Sequence, residues 1–362
     1  MTTAVTILLF VGAFLLQVLT WVFLFRTGLR WAQLKSVTMR RIVCTLGLIF
    51  ISNALLVILI NLARPGDPAH PWTNLVRGQP ISQVAILFAF LEYILLFFVN
   101  VFVIAFSFKV SLLRALRIWT PRLVNTPAWS LFALLVVRPF LFEAFFMPTN
   151  SMAPTLLGRH WVGTCAECDS PAYCSPPYRM NPYENERSTE MICRDNFHVS
   201  RIPADSDHVF NGDRYLVTKF LKPKRWNLVV FRAPPSLQHE KQDTPAIFVM
   251  RLVGLPGEEV TIKEGQVWID GQVLTPPAAI HGIKYDTDLN HSPGYVWGSA
   301  DSPAKLGDDE YYVLGDFSRN SYDSRYWPEG KNREKPFAVP KSDIQGVVSH
   351  IYWPLSRWRA FK

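Results

Sequence analysis

The chain has 362 residues, of which 49% are hydrophobic and 18% charged, and a formal net charge of +8. That length ordinarily gives two or three domains, yet Leu, Val, Ile, Phe and Ala dominate up to about Phe146, and prolines, glycines, charges and short alternating stretches follow. The composition excludes a wholly soluble protein, and the positive charge calls for no nucleic-acid partner because part of it lies in loops between apolar runs.

Four runs, 4–25, 43–63, 84–108 and 128–146, are apolar over the roughly 20 residues that a helix needs to cross a bilayer core. The first lacks a basic n-region and a small-residue cleavage site, so it is expected to be a retained span and not a removable signal. Basic residues collect in the loop with Arg26, Arg30, Lys35, Arg40 and Arg41 and in the loop with Lys109, Arg114, Arg117 and Arg122, while 64–77 is poorer in charge. Basic loops stay in the cytoplasm, so the N-terminus and everything after Phe146 are expected outside it. The organisation expected is three transmembrane helices and their loops over 1–127, a fourth helix over 128–146, and an extracytoplasmic β domain over 147–362. Arg138 and Glu143 lie toward the outer end of the fourth run, where charges snorkel or pair, and read as an interfacial anchor. Cys44 falls inside the second run and is expected to be core.

Just beyond the fourth run comes Met147-Pro148-Thr149-Asn150-Ser151-Met152-Ala153-Pro154-Thr155-Leu156. Each proline fixes φ and pushes the residue before it out of helical space. Ser151 is therefore expected on an extended, irregular segment near the membrane surface, a place that suits a presented hydroxyl.

Residues 159–211 hold Cys165-Ala166-Glu167-Cys168, then Cys174, Cys193 and His198. A Cys-x2-Cys knuckle followed by further soft ligands is the spacing of a structural zinc ribbon. The second knuckle is degenerate, since Asn196 stands where a paired cysteine would be, and Cys174 or His198 is left to complete a site with Cys165, Cys168 and Cys193. Outside the cytoplasm the same cysteines suit disulfides equally well.

From Tyr215 the pattern turns to short β-branched and aromatic strands at 215–217, 227–231, 247–253, 260–262, 267–269, 273–274 and 311–314. Gly, Pro and Asp separate them, and Asp270-Gly271 is a strong hairpin signal. Strands without alternating helices predict a mainly antiparallel β domain. The stretches 278–299 and 301–309 read as surface loops without a function.

Four ordered segments then resemble the bacterial type I signal peptidases. They are Arg138-Pro139-Phe140 through Glu143 to Leu156, Gly212-Asp213-Arg214-Tyr215 through Phe231, Arg251-Leu252-Val253-Gly254-Leu255-Pro256-Gly257-Glu258, and Leu314-Gly315-Asp316-Phe317-Ser318-Arg319-Asn320-Ser321-Tyr322-Asp323-Ser324-Arg325. The resemblance implies a membrane-bound serine endopeptidase that removes signal peptides from translocated preproteins and needs no cofactor for catalysis. Ser151 matches the nucleophile, and its backbone N–H and the Thr149 hydroxyl match the oxyanion donors. Asp323 and Arg325 match an ion pair under the site, and Ser321 matches a hydroxyl that bonds the family's lysine base. Phe145 and Met147 match residues lining shallow pockets for small side chains before the cut, so an Ala-x-Ala-like signal-sequence end is the implied target. Residues 159–211 are an insertion relative to the compact family core. The position of the lysine base, directly before Arg251, is Met250, which accepts no proton. Three alternatives follow. Lys219, Lys263 or Lys241 serves as base, the protein is a silent paralogue that binds signal peptides, or a partner supplies the base. Asn150 stands where the family commonly has glycine, a change that matters if the backbone there needs positive φ.

Overall fold

Backbone polar groups find no water in a hydrocarbon core, so apolar runs of this length fold as helices. A computed structural model describes residues 2–34, 37–63, 83–176, 188–206, 208–234, 246–287, 296–327 and 335–361. Among them four helical stretches are long and apolar enough to cross a membrane, Val11–Trp31, Met39–Ile60, Leu91–Phe108 and Leu112–Leu141. The chain divides into two units, Met1–Leu134 and Leu135–Lys362.

In the first unit the helices Thr2–Trp31, Met39–Ala63 and Gln83–Phe108 bury Phe25, Ile42, Ile49, Ile104 and Ile118 in one cluster. Arg41 donates from Nη2 to the Ser107 carbonyl at 2.7 Å. That carbonyl belongs to the negative end of the Gln83–Phe108 helix, where a cation is favoured. The second basic loop is partly helical, because Leu112–Trp119 buries Ala115 and Ile118 three residues apart on one face. Cys44, expected in the core, is exposed on Met39–Ala63.

The fourth run does not stay helical to Phe146. Asn125–Phe132 passes into the π-helix Ala133–Leu141, which contains Pro139, and then into the strand Phe142–Phe146. Proline removes one ladder donor and crowds the preceding turn, a cause of such widening. The strand pairs with Arg214–Thr218, Glu143 lying opposite Val217.

The second unit is built from three antiparallel sheets among the described residues. The largest has eight strands in the order Phe142–Phe146, Arg214–Thr218, Ile344–Trp353, Leu228–Arg232, Ile247–Gly254, Glu310–Leu314 and Val339–Pro340, with Arg359–Ala360 beside Ile344–Trp353. Gln272–Val273, Gln266–Ile269, Glu259–Lys263 and Ala304–Lys305 form the second, and Trp161–Thr164, Pro171–Cys174, Ser188–Cys193 and Val199–Pro203 the third. The Asp270-Gly271 turn has φ of 49° and 80°, the two left-handed residues that a tight hairpin requires. Strand alternation divides the core: Tyr311 and Val313 enter a cluster with Met152, Met250 and Trp327, while Tyr312 and Leu314 enter another with Val260, Ile262 and Phe317. The stretch 278–299 is not merely a surface loop, since Ile280, Ile283 and Tyr285 are buried in the second cluster.

One buried ion pair ties strand to loop. Arg251 donates to Asp316 at 2.6 and 2.5 Å, to the Trp226 carbonyl at 2.7 Å and to the Thr155 hydroxyl at 3.3 Å. Thr155 in turn donates to Asp316. Removing one partner strands a buried charge, whereas replacing both by apolar groups of similar volume does not. Arg251→Met is expected to cost about 3–5 kcal/mol in denaturant unfolding of the detergent-solubilised chain. The double variant Arg251→Met, Asp316→Leu is expected to cost less, and equal penalties would refute the account.

Candidate active site

Ser151 follows the Phe142–Phe146 strand on a run of turns, 151–155, and not on the extended segment expected from its prolines. The Ala153 N–H bonds back to the Asn150 carbonyl at 3.1 Å and the Leu156 N–H to the Met152 carbonyl at 2.9 Å. The Ser151 and Thr149 hydroxyls lie 3.4 Å apart, bringing the expected nucleophile and oxyanion donor together. Asn150 is fully buried and is not among the residues at positive φ, so the left-handed backbone is not what places asparagine there. Its side chain works as a clamp instead. Nδ2 donates to the Arg159 carbonyl at 2.7 Å and to Ser175 Oγ at 3.0 Å, and Oδ1 accepts from the Gly158 N–H at 2.8 Å.

Met250 sits on Ile247–Gly254 opposite Val229, buried in the cluster that also holds Met147 and Met152. The other lysines proposed as bases are placed as follows. Lys219 has its amine 2.7 Å from Glu143 Oε2, and Arg138 holds the other oxygen of that carboxylate at 3.1 Å. Lys263 lies over the Trp268 ring, 5.6 Å from its centroid, on the second sheet. Lys241 falls outside the described residues.

The fourth box centres on a buried, fully bonded arginine. Asp323 and Arg325 have fully buried side chains, paired at 2.8 Å from both Nε and Nη2. The remaining guanidinium donors reach the Asp286 carbonyl at 2.5 Å, Ser318 Oγ at 2.7 Å and the Ser318 carbonyl at 3.0 Å. All five N–H groups of the fork are thus used. Burial works against the Arg325 charge, but the adjacent Asp323 carboxylate and its hydrogen bonds more than offset it, and the net shift is upward. Asp323 also accepts the Gly315 N–H at 2.9 Å. Gly315 itself is required by crowding: a Cβ there would meet Ser321 Oγ at 2.0 Å and the Ser151 carbonyl oxygen at 2.8 Å. Ser321 Oγ is buried and has no hydrogen-bond partner among the described residues.

Of the residues matched to substrate pockets, Phe145 stacks on Tyr215 with centroids 5.9 Å apart, and Met147 is 1% exposed. The Phe142–Phe146 strand stands at the end of the strand order of the large sheet.

The cysteines separate into two environments. Cys165, Cys168, Cys193 and His198 place their ligand atoms within 4.8 Å of one another. Cys174, the alternative to His198, lies outside that group. It is buried, and burial pushes its thiol up to about 11 against a bond from the Trp161 backbone. Cys168 is pulled down to about 6, first by the Ser170 backbone N–H and then by Cys193.

Several structural partners of the serine loop carried no role in the sequence. Asp213 accepts the Leu157 N–H at 2.8 Å and Arg357 at 2.8 and 3.0 Å. Asp213 and Asp316 stand inside recognisable boxes, but nothing local signals what they bond. Arg357 and Arg359, which reach the carbonyl of Thr155, lie beyond every box.

Residues 196–353 match the family model described as signal peptidase, peptidase S26. A signal peptidase I of Leptolyngbya laminosa is 32% identical over 150 residues, which is 40% of this chain and 63% of that protein. A probable signal peptidase I-2 of Synechocystis is 31% identical over 150 residues, 40% of this chain and 57% of its own length. Signal peptidase I P of Bacillus subtilis subsp. natto is 31% identical over 160 residues, 42% of this chain and 75% of its own. This chain thus spans less than two thirds of the first two relatives and three quarters of the third. On the match with the third, and with the boxes assembled around Ser151, the chain belongs to the type I signal peptidases.

Proposed function

We propose that this protein is a multi-pass protein of the cytoplasmic membrane whose 147–362 domain faces outward and binds the signal-sequence ends of translocated preproteins at Ser151, with hydrolysis held back by the missing base. The observation that carries this reading is buried Met250 together with the unpartnered Ser321 hydroxyl. A serine hydroxyl is a weak nucleophile until a base within hydrogen-bond reach takes its proton. A thioether offers no such site, while the Thr149 hydroxyl beside Ser151 keeps the oxyanion side equipped. Extended peptides commonly add as a further strand at the end of a sheet, and Phe142–Phe146, next to the serine loop, is the end strand here. Basic loops between the apolar helices favour the stated orientation.

The second reading is a working endopeptidase with its base elsewhere, and the retained Thr149–Ser151 pair favours it. Of the three lysines considered, Lys219 is engaged by Glu143 and Lys263 by Trp268, and Lys241 falls outside the described residues and is taken up by mutation. It predicts wild-type turnover that Ser151→Ala and Lys241→Ala each abolish.

On the leading reading, Met250→Lys places an amine beside the Ser321 hydroxyl, and cleavage of a preprotein with an Ala-x-Ala end in detergent rises about 10²–10⁴-fold, the usual worth of a general base. Adding Ser151→Ala removes the gain. A folded Met250→Lys protein with no gain, or wild-type cleavage that survives Ser151→Ala, would sink the proposal. In the Met250→Lys background, Thr149→Val is expected to lower kcat by about 10²–10³ with little change in KM, the signature of a lost oxyanion donor.

A further inference from the structure

The insertion folds as a small sheet that packs Tyr173, Ile192 and Phe197 into the second cluster of the domain and keeps a small cluster of its own on the opposite face. Its strands are short, and its buried cluster consists of Trp161, Cys165, Ala172, Cys174, Met191, Cys193 and Ile202. Cores of this size usually need a staple.

Two turns in that sheet are built alike. The Cys165 N–H bonds to the Ser170 carbonyl at 2.9 Å, and the Cys193 N–H bonds to the His198 carbonyl at 2.8 Å, each five residues on. The fourth residue after each cysteine is left-handed, Asp169 at 55° and Phe197 at 57°. The Asp195 and Asn196 backbones bond Cys193 Sγ, and the Ser170 backbone bonds Cys168 Sγ. The first turn offers Cys165 and Cys168. In the second, Asn196 occupies the place of the partner cysteine and bonds Cys168 instead, and His198 enters the cluster from two residues further on.

The spacing fits a metal. Cys168 Sγ and Cys193 Sγ are 3.4 Å apart, and Cys165 Sγ and His198 Nδ1 are 3.8 Å apart. Zinc–sulfur bonds of about 2.3 Å and zinc–nitrogen bonds of about 2.0–2.1 Å give tetrahedral edges of roughly 3.5–3.8 Å. Glu167 Oε2, 3.3 Å from the same histidine nitrogen, is more than half exposed and lies at the rim.

We propose that Cys165, Cys168, Cys193 and His198 bind one structural zinc ion, and that the sheet it fixes braces the serine loop. The brace runs through Ser175, which follows the Pro171–Cys174 strand and accepts from Asn150 next to Ser151. It also runs through Arg319, which bonds Glu190 of the Ser188–Cys193 strand at 3.0 Å and Asp286 at 2.8 Å. Gly282 packs under the second turn, where a Cβ would fall 2.2 Å from the Asn196 carbonyl oxygen. The site stands whether or not Ser151 turns substrate over.

The test is metal analysis of the full chain purified in detergent, together with X-ray absorption at the zinc edge. One zinc per chain with three sulfurs and one nitrogen is expected, absent from Cys193→Ser and retained in Cys174→Ser and Glu167→Gln. On chelation, amide exchange should rise over 150–160, where Asn150 holds Gly158, and stay unchanged over Glu259–Ile269. A metal-free wild type with these cysteines in disulfides, or zinc retained in Cys193→Ser, would overturn the site. Zinc loss without faster exchange over 150–160 would overturn the brace.

Discussion

The serine loop owns few of the backbone partners it needs. Between Ser151 and Gly158 the chain makes turns and joins no sheet, so its polar groups must be met from elsewhere or remain costly. Asp213 takes the Leu157 N–H, Asn150 takes the Gly158 N–H, the Phe317 N–H meets the Ser151 carbonyl at 3.0 Å, and Arg357 and Arg359 reach the Thr155 carbonyl. The loop's shape is therefore a property of the strands and the boxes around it. Thr155 joins the same account through Asp316, whose charge Arg251 balances. A buried carboxylate that accepts from Arg251 and Thr155 together holds a loop more firmly than an apolar contact, because each misplacement leaves a charge unsatisfied.

Beneath the loop, the Asp323–Arg325 pair shows the same economy, with every guanidinium donor used and Gly315 pressed between Ser321 and the Ser151 carbonyl. Against that completeness the Ser321 hydroxyl stands out. Leaving a buried hydroxyl unpaired costs about 1–3 kcal/mol. Ser151 has the polar Thr149 hydroxyl beside it, while Met250 belongs to an apolar cluster.

Much of this was legible in sequence, and the parts that were not share a cause. The strands of the second half and the Asp270-Gly271 turn follow from period-two patterning and turn chemistry, and the ordered boxes from the family resemblance. Phe142–Phe146 was hidden because its residues continue an apolar run, and periodicity cannot tell a buried strand from the end of a helix. The strands of the third sheet lie among cysteines, prolines and charges with no alternation to read. The role of Asn150 was misjudged for a different reason: its value lies in partners 8, 9 and 25 residues away, which local backbone reasoning does not see. His198 was one of two open choices, and the turn geometry beginning at Cys193 separates it from Cys174.

Family membership and activity rest on different residues. Asp213, Arg251, Asp316, Asp323 and Arg325, which make the boxes recognisable, hold backbone and balance each other's charge. None of their observed bonds passes through residue 250, so the network they form does not depend on which side chain stands there. The fold therefore presents Ser151 beside Thr149 independently of residue 250. A base is a single side chain judged by its proton, whereas the scaffold is a closed set of mutually satisfied groups, and only the scaffold is needed to keep a signal-peptidase site in shape.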